Sequence, residues 1–336
     1  MAKYTENNLA ALFKNSVQKH KDRPAVSFKL KKTYEDKTWQ ELEVMVTSVA
    51  NYLLSLGIKK GDKIALFSDN RYEWWVADLA ILSIGAINVP IYATNSELEA
   101  QYILKNSESK LCFAGTKDHL EKVLHVKRKL PKLKHLVVFN KQTKKYPNTI
   151  SLMEAMEKGD KAASKFDINN KIKAIKPSDV ATIIYTSGTT GDPKGVMLTH
   201  ENIITDVRSS LKTVEGMLDE NDVFLSFLPL SHAFERTVGE YLSILLGAKT
   251  AFAQSLETLL ENFQEVRPTI MISVPRIYEK VHSGIQVKVA DSSPVKKAIF
   301  NWAMGVARKA LPAICMKKQP GGLLALQYKL ANKLVY

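Results

Sequence analysis

Apolar positions along this chain fall into short runs whose spacing switches between a helical and an extended period. Leu42, Met45, Val46, Val49, Ala50 and Leu53 repeat at three- and four-residue intervals and predict one face of a helix. Thr38 and Glu41 supply a capping box at its start, and Gly57 supplies its stop. Upstream, residues 6–20 predict a short amphipathic helix, and Ala25–Phe28 with Thr33–Thr38 predict a hairpin around a basic turn. Strands over 63–68, 86–91, 110–114 and 135–139 then alternate with helices over 71–84, 97–106 and 120–129. Residues 141–178 are polar and lysine-rich and read as a connector with one short helix around Leu152–Met156. The apolar run Val180–Tyr185 predicts a buried parallel strand, and Gly195–Thr199 a second extended run. Alternation resumes with helices over 201–214, 234–246 and 256–266 and strands over 223–228, 249–253 and 269–273.

Strand–helix alternation at this spacing implies an α/β fold: two largely parallel sheets in one lobe, with flanking helices. The expected organisation is a first α/β block over about 1–140, the connector 141–178, a second block over 179–281, and a basic helical segment over 282–336. At 336 residues and 45% apolar content, the chain is long enough for a sizeable core. Cys112 and Cys315 lie far apart without metal-type spacing, and both are expected to be buried free thiols in a reducing compartment. The N-terminus lacks an apolar signal core. The most hydrophobic stretch, Trp74 to Ala93, contains Asp78, Asn88, Gly85 and Pro90, so a buried helix followed by a strand explains it better than a membrane span.

A net charge of +14 suits nucleic acid, an anionic membrane surface, or polyanionic small molecules such as ATP and CoA. No aromatic–basic RNA-binding pattern is visible, and nucleic acid is not expected as a partner. The segment Tyr185-Thr186-Ser187-Gly188-Thr189-Thr190-Gly191-Asp192-Pro193-Lys194-Gly195 favours phosphate. Glycines let backbone N–H groups crowd an anion, hydroxyls add donors, and Lys194 adds a mobile positive charge. It is not the usual P-loop, because Lys194 stands three residues after Gly191 and no Ser/Thr follows it. A plain polar surface turn is the competing reading, but a lysine and a preceding buried strand favour phosphate binding.

This segment closely resembles the signature loop of the adenylate-forming (AMP-binding) enzymes. Leu228-Pro229-Leu230-Ser231-His232-Ala233-Phe234-Glu235-Arg236 and Val274-Pro275-Arg276-Ile277-Tyr278-Glu279-Lys280-Val281 resemble the long-chain fatty-acid–CoA ligase branch. The similarity runs from Thr38-Trp39-Gln40-Glu41-Leu42 onward. It implies the N-terminal lobe of the acyl-CoA synthetase/luciferase-like fold. It also implies two-step chemistry: a fatty-acid carboxylate attacks the α-phosphate of ATP, and the CoA thiol then displaces AMP.

By the same resemblance, Thr186, Ser187, Gly188, Thr189, Thr190, Gly191 and Lys194 hold the β- and γ-phosphates. Thr186 ligates Mg²⁺ through its hydroxyl or a water, and His232 is the catalytic-site residue beside the acyl and adenylate pocket. Glu235 and Arg236 read as an adjacent helix-face pair without a catalytic role, and Arg276 as a structural or ligand-contacting residue. The family's Tyr-Gly-x-Thr-Glu segment, ribose-binding Asp and lysine-bearing C-terminal lobe have no counterpart before Tyr336 and are expected downstream. Complete catalysis by the 336 residues alone is therefore not expected. An aryl- or short-acyl-CoA ligase, and a non-catalytic nucleotide- or acyl-binding module, stand as alternatives. The resemblance implies a cytoplasmic enzyme, with peripheral contact to anionic membrane as an option. That option comes from an amphipathic helix over Val295–Ala310, in a segment from His282 to Tyr336 that carries nine Lys/Arg and one Asp.

Overall fold

The computed structural model describes residues 6–141, 146–186, 192–316 and 318–335, in two compact units divided after Ile272. The larger unit begins with α1 (Leu9–His20), the hairpin β1 (Pro24–Leu30) and β2 (Thr33–Thr38), and α2 (Trp39–Ser55). The first alternating run is β3 (Lys63–Phe67), α3 (Tyr72–Ser83), β4 (Ile87–Ile91), α4 (Glu97–Asn106), β5 (Leu111–Ala114), α5 (Lys117–Val126) and β6 (His135–Val138). Then come β7 (Thr149–Ser151), α6 (Leu152–Ala162), α7 (Ile168–Lys173), β8 (Val180–Thr186), β9 (Lys194–Thr199) and α8 (His200–Thr213). The unit ends with β10 (Val223–Ser226), α9 (Leu242–Leu246), β11 (Lys249–Phe252), α10 (Leu259–Val266) and β12 (Ile270–Met271).

Two sheets form, as the alternation predicts. One has seven strands in the order β7-β6-β5-β3-β4-β8-β9 and the other five in the order β12-β10-β11-β1-β2. Both are parallel except for one antiparallel edge strand, β9 in the first and β2 in the second. Strands do not sort by sequence block, however. The opening strand β1 pairs with β11, and β8 crosses back to pair with β4. The chain therefore visits the second sheet, builds most of the first, completes it with β8–β9 and returns.

Helix α3 packs into both sheets. It is buried from Glu73 through Ser83, as expected of a helix apolar on every side. Trp75 meets Phe252 of β11 edge-on at 5.8 Å, and Tyr72 lies 4.4 Å from Phe28 of β1. Truncating Trp74 or Trp75 to Ala would cost about 3–5 kcal/mol through lost burial and a residual cavity. The capping box at α2 forms as read: Thr38 accepts from the Glu41 N–H, and the Glu41 carboxylate accepts from the Thr38 N–H. Gly57 adopts φ +78°, the left-handed conformation that ends this helix.

The connector 141–178 is more built than its polarity suggests. Its strand β7 extends the seven-stranded sheet beside β6, and α6 runs eleven residues from its own Ser151–Glu154 capping box. Helix α6 packs on α2 at Gly159, where any side chain would collide with the Ser48 carbonyl. Glycine there admits the close helix approach that polar composition conceals.

Burial of the cysteines also departs from expectation. Cys112 is fully buried in β5, but Cys315 is exposed. Burial pushes the Cys112 thiol up to about 12, so little nucleophilic thiolate exists there at neutral pH. A disulfide reagent such as DTNB should titrate one thiol in the native chain and two in guanidinium. The native signal should vanish in Cys315→Ser; a fast second equivalent without denaturant would contradict the buried assignment.

His200 opens α8 and is buried, and its Nδ1 accepts the Leu9 N–H at 3.2 Å, which ties the start of α1 to α8. Burial, against the nearby Asp179 carboxylate, lowers its pKa to about 4. Between pH 6.5 and 4 the unfolded chain binds a proton that the folded chain refuses, so this histidine's contribution declines as pH falls through that window. The destabilisation caused by His200→Asn should therefore be about 2 kcal/mol smaller at pH 5 than at pH 7 by urea titration. A pH-independent difference would remove the linkage.

The smaller unit consists of α11 (Pro275–Ala290), α12 (Pro294–Cys315) and α13 (Gly322–Leu334). Pro275 and Pro294 each occupy a first helical turn, where the missing N–H costs nothing. Ala303 and Val306 of α12 pack with Leu324, Tyr328 and Ala331 of α13.

Candidate active site

Strand β8 carries the hydroxyl-and-glycine segment out of the seven-stranded sheet. Its last ladder position pairs Thr186 with Lys194, the first residue of β9. Both residues are exposed, so the antiparallel strands that flank the segment set a hydroxyl-bearing and an ammonium-bearing residue at facing positions. Ser187, Gly188, Thr189, Thr190 and Gly191 lie outside the described residues. Tyr185, just before them, is anchored by its hydroxyl donating to Asn106 at 2.6 Å.

The histidine motif leaves the other sheet at the C-terminal end of β10. His232 is exposed, and its Nδ1 accepts the Phe234 N–H at 3.2 Å. A neutral ring with Nδ1 occupied as an acceptor carries its proton on Nε2, which makes Nε2 a donor. The loop is clamped by Asn70, which follows β3. Its amide donates to the Leu228 carbonyl at 2.6 Å and to Ser226 Oγ at 3.0 Å, while its carbonyl accepts from the Leu230 N–H at 3.0 Å. One side chain thus fixes the exit of one sheet against the exit of the other. A cleft of about 360 Å³ opens there, with Asp69 and Asn70 after β3, Tyr92 after β4, Pro229 and Ser231 after β10, and Leu256 after β11. Ligands of open α/β folds gather at such carboxyl ends of strands.

Strand β8 and the histidine loop are joined through the interior. Arg236, four residues past His232, donates from Nη1 to Thr182 Oγ1 at 2.6 Å. Thr182 stands four residues before Thr186 and in turn donates to the Asn88 carbonyl at 2.8 Å. Arg236 Nη2 forms an ion pair with Asp78 and donates to the Tyr241 hydroxyl, which itself donates to Asp78 Oδ2 at 2.5 Å. The guanidinium also lies over the Trp74 ring, 5.4 Å from its centroid.

All of these groups are buried. The helix-face pair expected for Glu235 and Arg236 is therefore replaced by two fully interior side chains. The segment Glu235–Tyr241 is wound as a π-helix rather than the plain helix expected over 234–246. This wider turn is a feature concentrated at functional sites.

Burial and pairing shift the charged groups of the cluster. Burial tends to lower the Arg236 pKa, but the Asp78 carboxylate outweighs it and the net shift is upward, so the guanidinium stays charged. Burial pushes Glu235 up to about 8, although Ser226 donates to it at 2.7 Å. Burial, with Asp78 nearby, raises Glu240 well above the usual carboxylate range. Both shifts favour the protonated form of the two glutamates beside the Arg236–Asp78 ion pair. Asp78, Asn70, Thr182 and Arg236 were not identified as site-building residues by sequence. The available signal was the pair of polar residues, Asp78 and Asn88, inside an otherwise apolar run.

These features define an α/β fold with candidate ligand groups at the strand ends of two sheets. The chain belongs to the AMP-binding enzyme family, whose model matches residues 13–315. It is 32% identical over 332 residues to the long-chain-fatty-acid–CoA ligase ACSBG2 of Xenopus laevis, covering 97% of this chain and 44% of that protein. The adenylation domain of a carboxylate reductase from Mycobacterium chelonae superposes with a TM-score of 0.74 at 22% identity, over 87% of this chain and 50% of that one. The anthranilate CoA ligase AuaEII, solved with anthranoyl-AMP, superposes with a TM-score of 0.68 at 20% identity, over 82% and 52%. The chain spans about half the length of the curated relatives it matches.

Breaking the ion pair from the cationic side leaves a carboxylate buried without its partner. Arg236→Met should cost about 3–5 kcal/mol in urea denaturation, and the double variant with Asp78→Asn should cost distinctly less than the sum of the singles. Additive losses, or a loss below about 1 kcal/mol, would deny the pair its role.

Proposed function

We propose that this chain is the nucleotide-gripping part of an ATP-dependent carboxylic acid–CoA ligase whose acid is a long-chain fatty acid. The observation that supports this reading most directly is the edge hairpin of β8 and β9, where Thr186 and Lys194 flank a segment with the family's signature sequence. In the first step a carboxylate oxygen bonds to the α-phosphorus of ATP and pyrophosphate leaves with the electrons of the broken P–O bond. In the second, the CoA sulfur bonds to the acyl carbon and AMP leaves. The acid is already ionised at neutral pH, so the first step needs no general base. Its difficulty is an anion approaching an anion, which calls for fixed positive charge and aimed donors.

In this reading Lys194 and Thr186, with Ser187, Gly188, Thr189, Thr190 and Gly191, embrace the β- and γ-phosphates. His232 presents Nε2–H toward the carboxylate and the adenylate, and the cleft beside Pro229 and Ser231 receives the acyl chain. Magnesium arrives as part of the ATP complex. Thr186 offers an exposed hydroxyl of the kind a hard cation accepts. Among the described residues no cluster of His, Cys, Asp or Glu forms a metal site of its own. The fatty-acid assignment rests on the 32% identity to long-chain ligases. The aryl ligase superposes at 20% identity, which speaks for the fold rather than the acid.

Equilibrium binding to the full 336-residue chain tests this. Lys194→Ala should weaken ATP roughly tenfold, Lys194→Arg should largely restore it, and the chain should bind hexadecanoate in preference to benzoate in equilibrium dialysis. ATP binding that ignores Lys194, or tight duplex-DNA binding with a steep salt dependence and no competition by ATP, would overturn the reading.

A further inference from the structure

Three side chains run in series from the buried π-helix to the wall of the cleft. The Asn70 oxygen accepts from the Leu230 N–H, so its nitrogen is the atom that faces the Leu228 carbonyl and Ser226. That nitrogen donates to Ser226 Oγ at 3.0 Å. The serine hydroxyl has one proton of its own, and it goes to Glu235 Oε1, 2.7 Å away. Donation therefore runs one way, from Asn70 through Ser226 to Glu235, where a carboxyl oxygen ends it as acceptor. Asn70 lines the cleft, and the backbone it grips brings Phe227, Pro229 and Ser231 into the same lining. The His232 N–H donates to the Pro229 carbonyl at 2.9 Å, so the histidine follows the same turn.

Two further observations single out Glu235. Gly239 makes room for it: a Cβ at 239 would lie 2.7 Å from both the Glu235 carboxyl carbon and Oε1. A side chain there would push the carboxyl off Ser226. The other observation is cost. Glu235 is 1% exposed, and its Oε2 has no hydrogen-bond partner among the described residues. An apolar side chain would fill the same space without that desolvation penalty. Space filling does not account for an acid here, whereas an acceptor for Ser226 does. Glu240, equally buried, makes no such link: neither of its carboxyl oxygens has a hydrogen-bond partner among the described residues.

We infer that Glu235 is a positioning residue of the cleft: with room made by Gly239, it accepts from Ser226 and so fixes the Asn70 amide that sets the Leu228–His232 loop. That the cleft takes a long-chain acid rests on the reading proposed above, whereas the hydrogen-bond chain stands on its own contacts. Amide hydrogen exchange of the full 336-residue chain reads the loop without any ligand. Glu235→Met should speed exchange over residues 227–234 roughly tenfold or more, because the Leu230 N–H loses a fixed acceptor, while β3 to β6 keep their wild-type rates. Ser226→Ala, which leaves the acid in place, should do the same, and the combined variant should add nothing further. Glu235→Gln keeps an acceptor oxygen and should exchange like wild type. Hexadecanoate affinity in equilibrium dialysis should fall about tenfold in Glu235→Met and in Ser226→Ala and recover in Glu235→Gln.

Unchanged loop exchange in both variants, faster exchange spread evenly over both sheets, or a Glu235→Gln chain as loose as Glu235→Met would overturn the inference. A wild-type chain that binds no hexadecanoate would instead sink the fatty-acid reading, and the exchange rates would still decide the role of Glu235.

Discussion

The structure turns on one buried charge pair. Arg236 enters the interior from the π-helix after the histidine loop and meets Asp78 of α3, while its other nitrogen holds Thr182 of β8. Desolvating a guanidinium is costly unless every side of it finds a partner. Here the carboxylate, two hydroxyls and the Trp74 face contribute, while Nε is buried without a hydrogen-bond partner among the described residues. The same requirement raises the pKa of Glu235 and of Glu240, because burial disfavours a further carboxylate charge in that volume. The pair links α3, β8 and the segment after β10, and the two sequence motifs inherit their relative placement from it.

Topology explains why such a pair is needed. The exits of β8 and β10 belong to different sheets, and no ladder hydrogen bond joins one sheet to the other in the pairing of the described strands. Side chains carry the registration instead: Asn70 clasps the loop after β10 from the end of β3, and Arg236 reaches Thr182. Asn70 also lines the cleft with Tyr92, Ser231 and Leu256 on its walls. A site assembled from the ends of two sheets gains catalytic reach but depends on a few polar contacts rather than on continuous packing.

Much of the fold was legible in the chain itself. Helix α2 announces its start through Thr38 and Glu41 and its stop through Gly57 because capping and left-handed termination are local chemistry. The strands β3 to β6 follow from apolar run length for the same reason. The signature segment at 185–195 is likewise local, and so is the expectation that its flanks are strands. The connector was read too simply: its polar residues face solvent, while the features that matter are a capping box and Gly159 pressed on a neighbouring backbone. Cys315 was misjudged because apolar neighbours in sequence need not be neighbours in space.

What the sequence alone determined is the set of pieces: strands, capped helices, a glycine- and hydroxyl-rich segment with its lysine, and a basic helical tail. These depend on interactions within a few residues, which sequence order specifies. Tertiary structure decided which sheet each strand joins and that Arg236 points inward to Asp78 158 positions earlier. Each of those outcomes depends on desolvation and pairing between groups distant along the chain, and periodicity in a single segment carries no information about them.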